Sequence, residues 1–126
     1  MDNTTLGIIL ITVAVLSLTT AQVVIKTRLG HHGAVPLNLT EGFPYFLRVI
    51  ADWQMWVGLM GLSVSSLLWY AAISRLPLSV AYPFAALSYP LVFVGSLLFL
   101  GEAFSWLALA GNGLILVGVL LVATAG

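Results

Sequence analysis

SVAYPFAALSYPLVFVGSLLFL, residues 79–100, decides the fold. The stretch carries no charge and exceeds the ~20 apolar residues that a helix needs to cross a bilayer. It also holds two Tyr-Pro pairs, Tyr82-Pro83 and Tyr89-Pro90, seven residues apart. Two helical turns take about seven residues, so both pairs are expected on nearly one face. Each proline lacks the N–H that would serve the carbonyl four residues back, on Ser79 and Ala86. Hydrocarbon offers no substitute donor, so this face should turn toward protein or a polar cavity. Tyr82, Ser88 and Tyr89 add hydroxyl groups. Two readings stand: the wall of a substrate path, or a packing helix kinked at Pro83 and Pro90.

Working outward, three more uncharged stretches have similar length. The expected spans are 5–26, 53–74, 78–100 and 103–124, with one long connection at 27–52. The 126 residues are 61% hydrophobic and 6% charged, which excludes a soluble domain with a polar surface. The expectation is therefore an all-α membrane protein, a single four-helix domain over residues 1–126. The first span begins behind Asp2 without Lys or Arg, and no small-residue cleavage site follows a short apolar run; it does not read as a cleaved signal peptide. There is no cysteine, hence no disulfide or thiolate chemistry. A net charge of zero with few basic residues argues against a nucleic-acid partner. The Asn-x-Thr triplets at Asn3 and Asn38 are frequent by chance and carry no weight.

The first span has the most polar interior. Thr12, Thr19, Gln22 and Lys26 fall on one stripe, and Gly7, Ala14 and Ala21 form a second stripe of small residues suited to close helix contact. Threonines in such helices often bond back to their own backbone. Gln22 and Lys26 are harder to dismiss, because a lysine at mid-span costs about 3 kcal/mol on insertion scales, less near an end. Together they offer donors to an anionic head group.

In the long connection, Gly30-His31-His32-Gly33 and Pro36 discourage a continuous helix. The adjacent histidines have no third ligand at useful spacing, so a solvated loop pair is expected and no metal. Phe43 to Ile50 reads as a short amphipathic helix lying in the membrane interface. Span two has Trp53 and Trp56 at one end and Trp69, Tyr70 and Arg75 at the other, as interfacial anchors. Its Gly58, Ser65 and Ala72 repeat at seven, a structural pattern. Span four carries Gly111, Gly118 and Ala125 in a row, with Asn112 as a lone amide. Lys26, Arg28 and Arg48 lie on one side and Arg75 on the other, a weak bias that would put the long loop in the cytoplasm.

Two segments, PLSVAYPFAALSYPLVF after span two and LLFLGEAFSWLALAGNGLILVGVLLV at the end, resemble the drug/metabolite transporter superfamily. Within it the chain most resembles the small subunits that flip undecaprenyl-phosphate-linked aminoarabinose. The motifs are Gln-x-x-x-Lys in the first span (Gln22 and Lys26 in AQVVIK) and Ala81-Tyr82-Pro83 near the start of the third. The small multidrug resistance exporters share the architecture and the Gly-Glu turn after span three only in part. They place a glutamate in the middle of span one, whereas Leu16 to Gln22 contains no acid. An exporter of lipophilic cations without a membrane-buried carboxylate has nothing to attract its substrate.

The resemblance implies a flippase in the bacterial inner membrane, active in lipopolysaccharide modification. It would move a polyprenyl-phosphate-linked sugar through a groove open to lipid, with no cofactor. Lys26 is the expected phosphate partner. Gln22, Thr19, Tyr82, Ser88 and Tyr89 are candidates for the sugar and the path, and Arg28 is a further substrate-binding candidate. Glu102 would bind an amino sugar, or pair with Lys26 or Arg28 when the site is empty. Four helices enclose too little volume for a sugar-lipid path, so a homodimer, or a heterodimer with a sister four-helix subunit, is expected. Two alternatives are a small multidrug-type exporter and a non-transporting subunit of a lipid-modifying complex. No acid-base pair, activated nucleophile or metal set in the spans supports an enzyme.

Overall fold

The computed structural model describes residues 2–125. Its first helix, α1 (Asn3–His32), is capped by Asp2, whose carboxylate accepts the Thr5 N–H at 2.7 Å. Contrary to the expected end at residue 26, α1 continues through Gly30 and stops at Gly33, whose φ of 90° favours glycine. A glycine within a helix costs about 1 kcal/mol relative to alanine. Arg28 and His32, one turn apart, offset that cost through contacts described below. The histidines are therefore helical, and the expectation of a solvated loop pair is corrected.

Helix α2 (Leu39–Ile50) begins earlier than Phe43 because Asn38 caps it, accepting the Glu41 N–H at 2.8 Å. Leu39, Phe43, Phe46, Leu47 and Ile50 stay exposed, while Tyr45 is buried. Helix α3 (Trp53–Ile73) follows, capped by Asp52.

The seam between α1 and α3 is the main contact of the fold. Gly7, Ala14 and Ala21 on α1 and Gly58, Ser65 and Ala72 on α3 are all buried. A Cβ on Gly58 would lie 2.6 Å from Cγ1 of Ile25, so this glycine is needed for the helices to approach. The Ser65 hydroxyl donates to the Ala14 carbonyl at 3.0 Å, joining the two backbones. Ile11, Val15, Ala72, Leu76 and Ala81 form the core at the end near the chain termini.

The third span differs from the expected single helix. It is two segments, α4 (Leu78–Ala85) and α5 (Ser88–Phe99), with a turn at Ala86-Leu87. Pro90 is the third residue of α5, in a first turn whose N–H groups have no intrahelical partner anyway, so it begins a helix instead of kinking one. Nor is the Ala86 carbonyl left open: it accepts from Tyr89 N at 3.1 Å. Together α4 and α5 still cover 22 residues, enough to cross a bilayer.

Helix α6 (Trp106–Ala125) starts three residues later than expected and packs mainly against α4 and α5. Gly111 and Gly118 have open space where a Cβ would be, and Asn112 bonds back to the Ala108 carbonyl at 2.8 Å. The protein is thus all-α, with four crossings long and apolar enough to span a membrane: α1, α3, α4 with α5, and α6.

Candidate functional site

The polar stripe of α1 divides into two parts. Thr12 and Thr19 donate to the carbonyls of Ile8 and Val15, each at 2.8 Å, and are spent on their own helix. Gln22 and Lys26 are exposed and form no hydrogen bond or ion pair among the described residues. Ser88 is half-buried. Tyr82 and Tyr89 are exposed, Tyr82 with its ring edge-on to Trp69 at 5.3 Å. The turn at Ala86-Leu87 separates the two Tyr-Pro pairs, so the regular helix expected to align them is absent. Glu102 is exposed in the α5–α6 turn, beside Gly101 with φ of 66°.

The polar contacts concentrate elsewhere, where the end of α1 meets the start of α3. Arg28 Nε donates to Asp52 Oδ2 at 2.6 Å, and His32 Nε2 lies 2.9 Å from the same oxygen. Of the three roles suggested for Glu102, pairing with Arg28 is therefore not the one the structure holds: Arg28 is paired with Asp52. Asp52 is 6% exposed, and its Oδ1 accepts the Gln54 N–H at 3.0 Å. Burial pushes its pKa up, but the bonds from Arg28, His32 and Gln54 outweigh that and hold it at about 2, below the usual 3.8. Nearby, the Tyr45 hydroxyl donates to the Gly33 carbonyl at 2.8 Å, and the Arg48 guanidinium lies 5.7 Å from the Tyr45 ring centroid. Three loop-side cations or potential cations are thereby anchored by Asp52 and Tyr45.

Asp52 is the residue that sequence reasoning missed. Its signal was local and legible as a helix cap, an Asp just before the apolar run at Trp53. The spacing of Arg28 and His32 places them on one helix face, but it points to a partner only once α1 is known to continue past residue 26.

The similarity to known proteins agrees with this architecture. A flippase subunit from Yersinia enterocolitica, named probable 4-amino-4-deoxy-L-arabinose-phosphoundecaprenol flippase subunit ArnF, is 34% identical over 119 residues, covering 88% of each chain. The chain belongs to the ArnF family of flippase subunits. Proteins of the same name from Shewanella sediminis (34% identical, 92% of this chain and 86% of the relative) and Erwinia tasmaniensis (42%, 63% and 68%) are similar as well. No protein-family model and no solved structure matches the chain. As an ArnF-family member the chain is a multi-pass membrane protein with transport-related and not enzymatic relatives, and its relatives are named as subunits.

Proposed function

We propose that this protein is one subunit of a flippase that carries a polyprenyl-phosphate-linked amino sugar across the bacterial inner membrane. The observation that carries the reading is the charge pattern of the spans. No Asp or Glu lies within any of the four crossings, whereas α1 holds Lys26 with no partner among the described residues; Arg28, further along, is matched by Asp52. A membrane interior of that kind accepts an anion and has no fixed charge to receive a lipophilic cation. The polyprenyl tail is at home in hydrocarbon; only the phosphate and sugar need a polar route. Lys26 is the proposed phosphate partner along that route, with Gln22, Ser88, Tyr82 and Tyr89 serving the sugar; Thr19, whose proton goes to the Val15 carbonyl, can add only an acceptor. Glu102, an exposed acid at the loop-side end of the crossings, is proposed to meet its amine, since both oxygens of Asp52 are already engaged.

A second subunit completes the path. Helix α6 is nearly all exposed and its glycine row is open, which supports a helix-to-helix interface with a partner four-helix chain. The loop joining α1 to α3 is proposed to face the cytoplasm, as the positions of Lys26, Arg28 and Arg48 suggest.

The test uses the amine of the sugar. In cells lacking the native copy, a membrane-impermeant amine reagent labels the lipid-linked sugar only after it reaches the outer leaflet. Expression of the protein should restore labelling, and Lys26→Ala with Gln22→Ala should abolish most of it. Labelling at the wild-type level by the double variant would remove the head-group assignment.

A further inference from the structure

The Arg28–Asp52–His32 cluster opens onto a recess of about 570 Å³ whose wall also includes His31 and Arg48. Asp52 is the sole carboxylate in that wall, and both of its oxygens are already engaged by Arg28, His32 and Gln54. It cannot readily serve a ligand, but it fixes Arg28. A guanidinium carries five N–H donors, and Asp52 takes only the one on Nε. The Nη groups form no bond among the described residues, and no buried side-chain nitrogen lacks a partner, so they remain accessible. Arg48 is likewise held over Tyr45 with its donors free of any described partner. Two oriented guanidinium forks facing one recess are suited to phosphate oxygens.

A second cavity, of about 480 Å³, adjoins the first by sharing Arg28, Trp53 and Gln54. Its other walls are mainly apolar: Val23 and Val24 of α1, Val57 of α3 and Phe99 of α5. An open cationic recess thus borders a greasy groove. Arg28 follows Lys26 by two residues, about 200° around the helix, so the cationic recess lies away from the Lys26 stripe, while Val23 brings the groove part of the way round toward it.

We propose that the joined recess and groove are a loading site for an isoprenyl phosphate. The forks of Arg28 and Arg48 hold the phosphate and the groove between α1, α3 and α5 receives the first isoprenyl units. The proposal rests on the flippase reading for the nature of the tail, and adds a site apart from the Lys26 stripe. Asp52 acts as a positioning residue, since it orients Arg28 without touching the ligand.

The experiment is titration calorimetry on the full chain in dodecyl maltoside, with farnesyl phosphate, farnesol, inorganic phosphate and dihexanoyl phosphatidic acid as probes. Farnesyl phosphate should bind at least about tenfold more tightly than each of the others: farnesol lacks the phosphate, inorganic phosphate lacks the tail, and phosphatidic acid brings two acyl chains on a glycerol where the site is proposed to take one isoprenyl chain. Arg48→Ala and Arg28→Lys should each weaken it by about tenfold, the scale of one charge-assisted hydrogen bond. Arg48 is exposed and outside the ion pairs, so its variant should keep wild-type helix content and melting. Arg28→Lys retains a cation for Asp52 while losing the planar fork. Wild-type affinity in both variants would overturn the site while leaving the flippase reading intact. Absence of farnesyl phosphate binding by the wild type would overturn the site and the lipid-phosphate reading together. Equal binding of farnesol would remove the phosphate role, equal binding of inorganic phosphate the groove, and equal binding of phosphatidic acid the isoprenyl assignment.

Discussion

Arg28 and Asp52 meet at 2.6 Å across 24 residues of chain, tying the end of α1 to the start of α3 on the loop side of the fold. Ser65 and Ala14 tie the same two helices further along, backbone to side chain at 3.0 Å. The first of these contacts depends on charge and the second does not, which gives them separable signatures.

Stability should depend on pH through Asp52. Its folded pKa of about 2 lies below the unfolded 3.8, so between those values the unfolded chain binds more protons and stability rises with pH. The contribution is full above about pH 5 and is lost as pH falls through the folded value. Thermal melting of the detergent-solubilised protein from pH 2 to pH 6 should show this slope. Asp52→Asn should flatten it and lower the melting temperature at neutral pH, where Arg28 would lose its charged partner.

The α1–α3 seam should resist enlargement. Gly58→Leu pushes a side chain into Ile25, whose Cγ1 would lie 2.6 Å from the new Cβ. Overpacking of this kind costs about 1–3 kcal/mol. Ser65→Ala removes one interhelical hydrogen bond and should cost only about 0.6 kcal/mol, the average measured for such bonds in a membrane. Unfolding in mixed micelles should rank the two in that order; equal effects would contradict the role assigned to close approach.

Helix α2 should lie along the membrane surface. The chain has no cysteine, so single labels report one position each. A spin label at Leu47, on the exposed apolar face, should collide with oxygen dissolved in lipid. One at Glu41 should collide with a water-soluble nickel reagent. Matching water accessibility at both positions would show that α2 stands clear of the bilayer.

The open row on α6 should be a contact between subunits. Gly118→Cys carrying a benzophenone maleimide should give a photocrosslinked product in native membranes, whereas the same label on cysteine at Thr4, beyond the α1–α3 seam, should give none. The mass of the product distinguishes self-pairing from a sister subunit, and monomer alone would remove α6 as the interface.

Much of the architecture was legible in the residues. Four apolar runs give four crossings, and the heptad spacing of Gly7, Ala14 and Ala21 against Gly58, Ser65 and Ala72 marks both sides of the main seam. The breaks were less legible. Gly30 reads locally as a helix breaker, but the pairing of Arg28 and His32 with Asp52 overrides that preference from 20 and more residues away. Conversely, the Tyr-Pro pairs suggest a single kinked helix, while Pro90 fits better in the first turn of a new one. For the polar groups, sequence separates Thr from Lys by cost alone. The structure separates them by partner: the threonines are satisfied by their own helix, and Lys26 and Gln22 have none among the described residues.

Native mass spectrometry of the protein released from bacterial membranes tests the central claim most directly. An interior that welcomes anions should carry a co-purifying isoprenoid phosphate, with or without its amino sugar, and should release it when Arg28 and Lys26 are both neutralised. A protein that instead retains a quaternary ammonium compound, and no isoprenoid phosphate, would contradict the account.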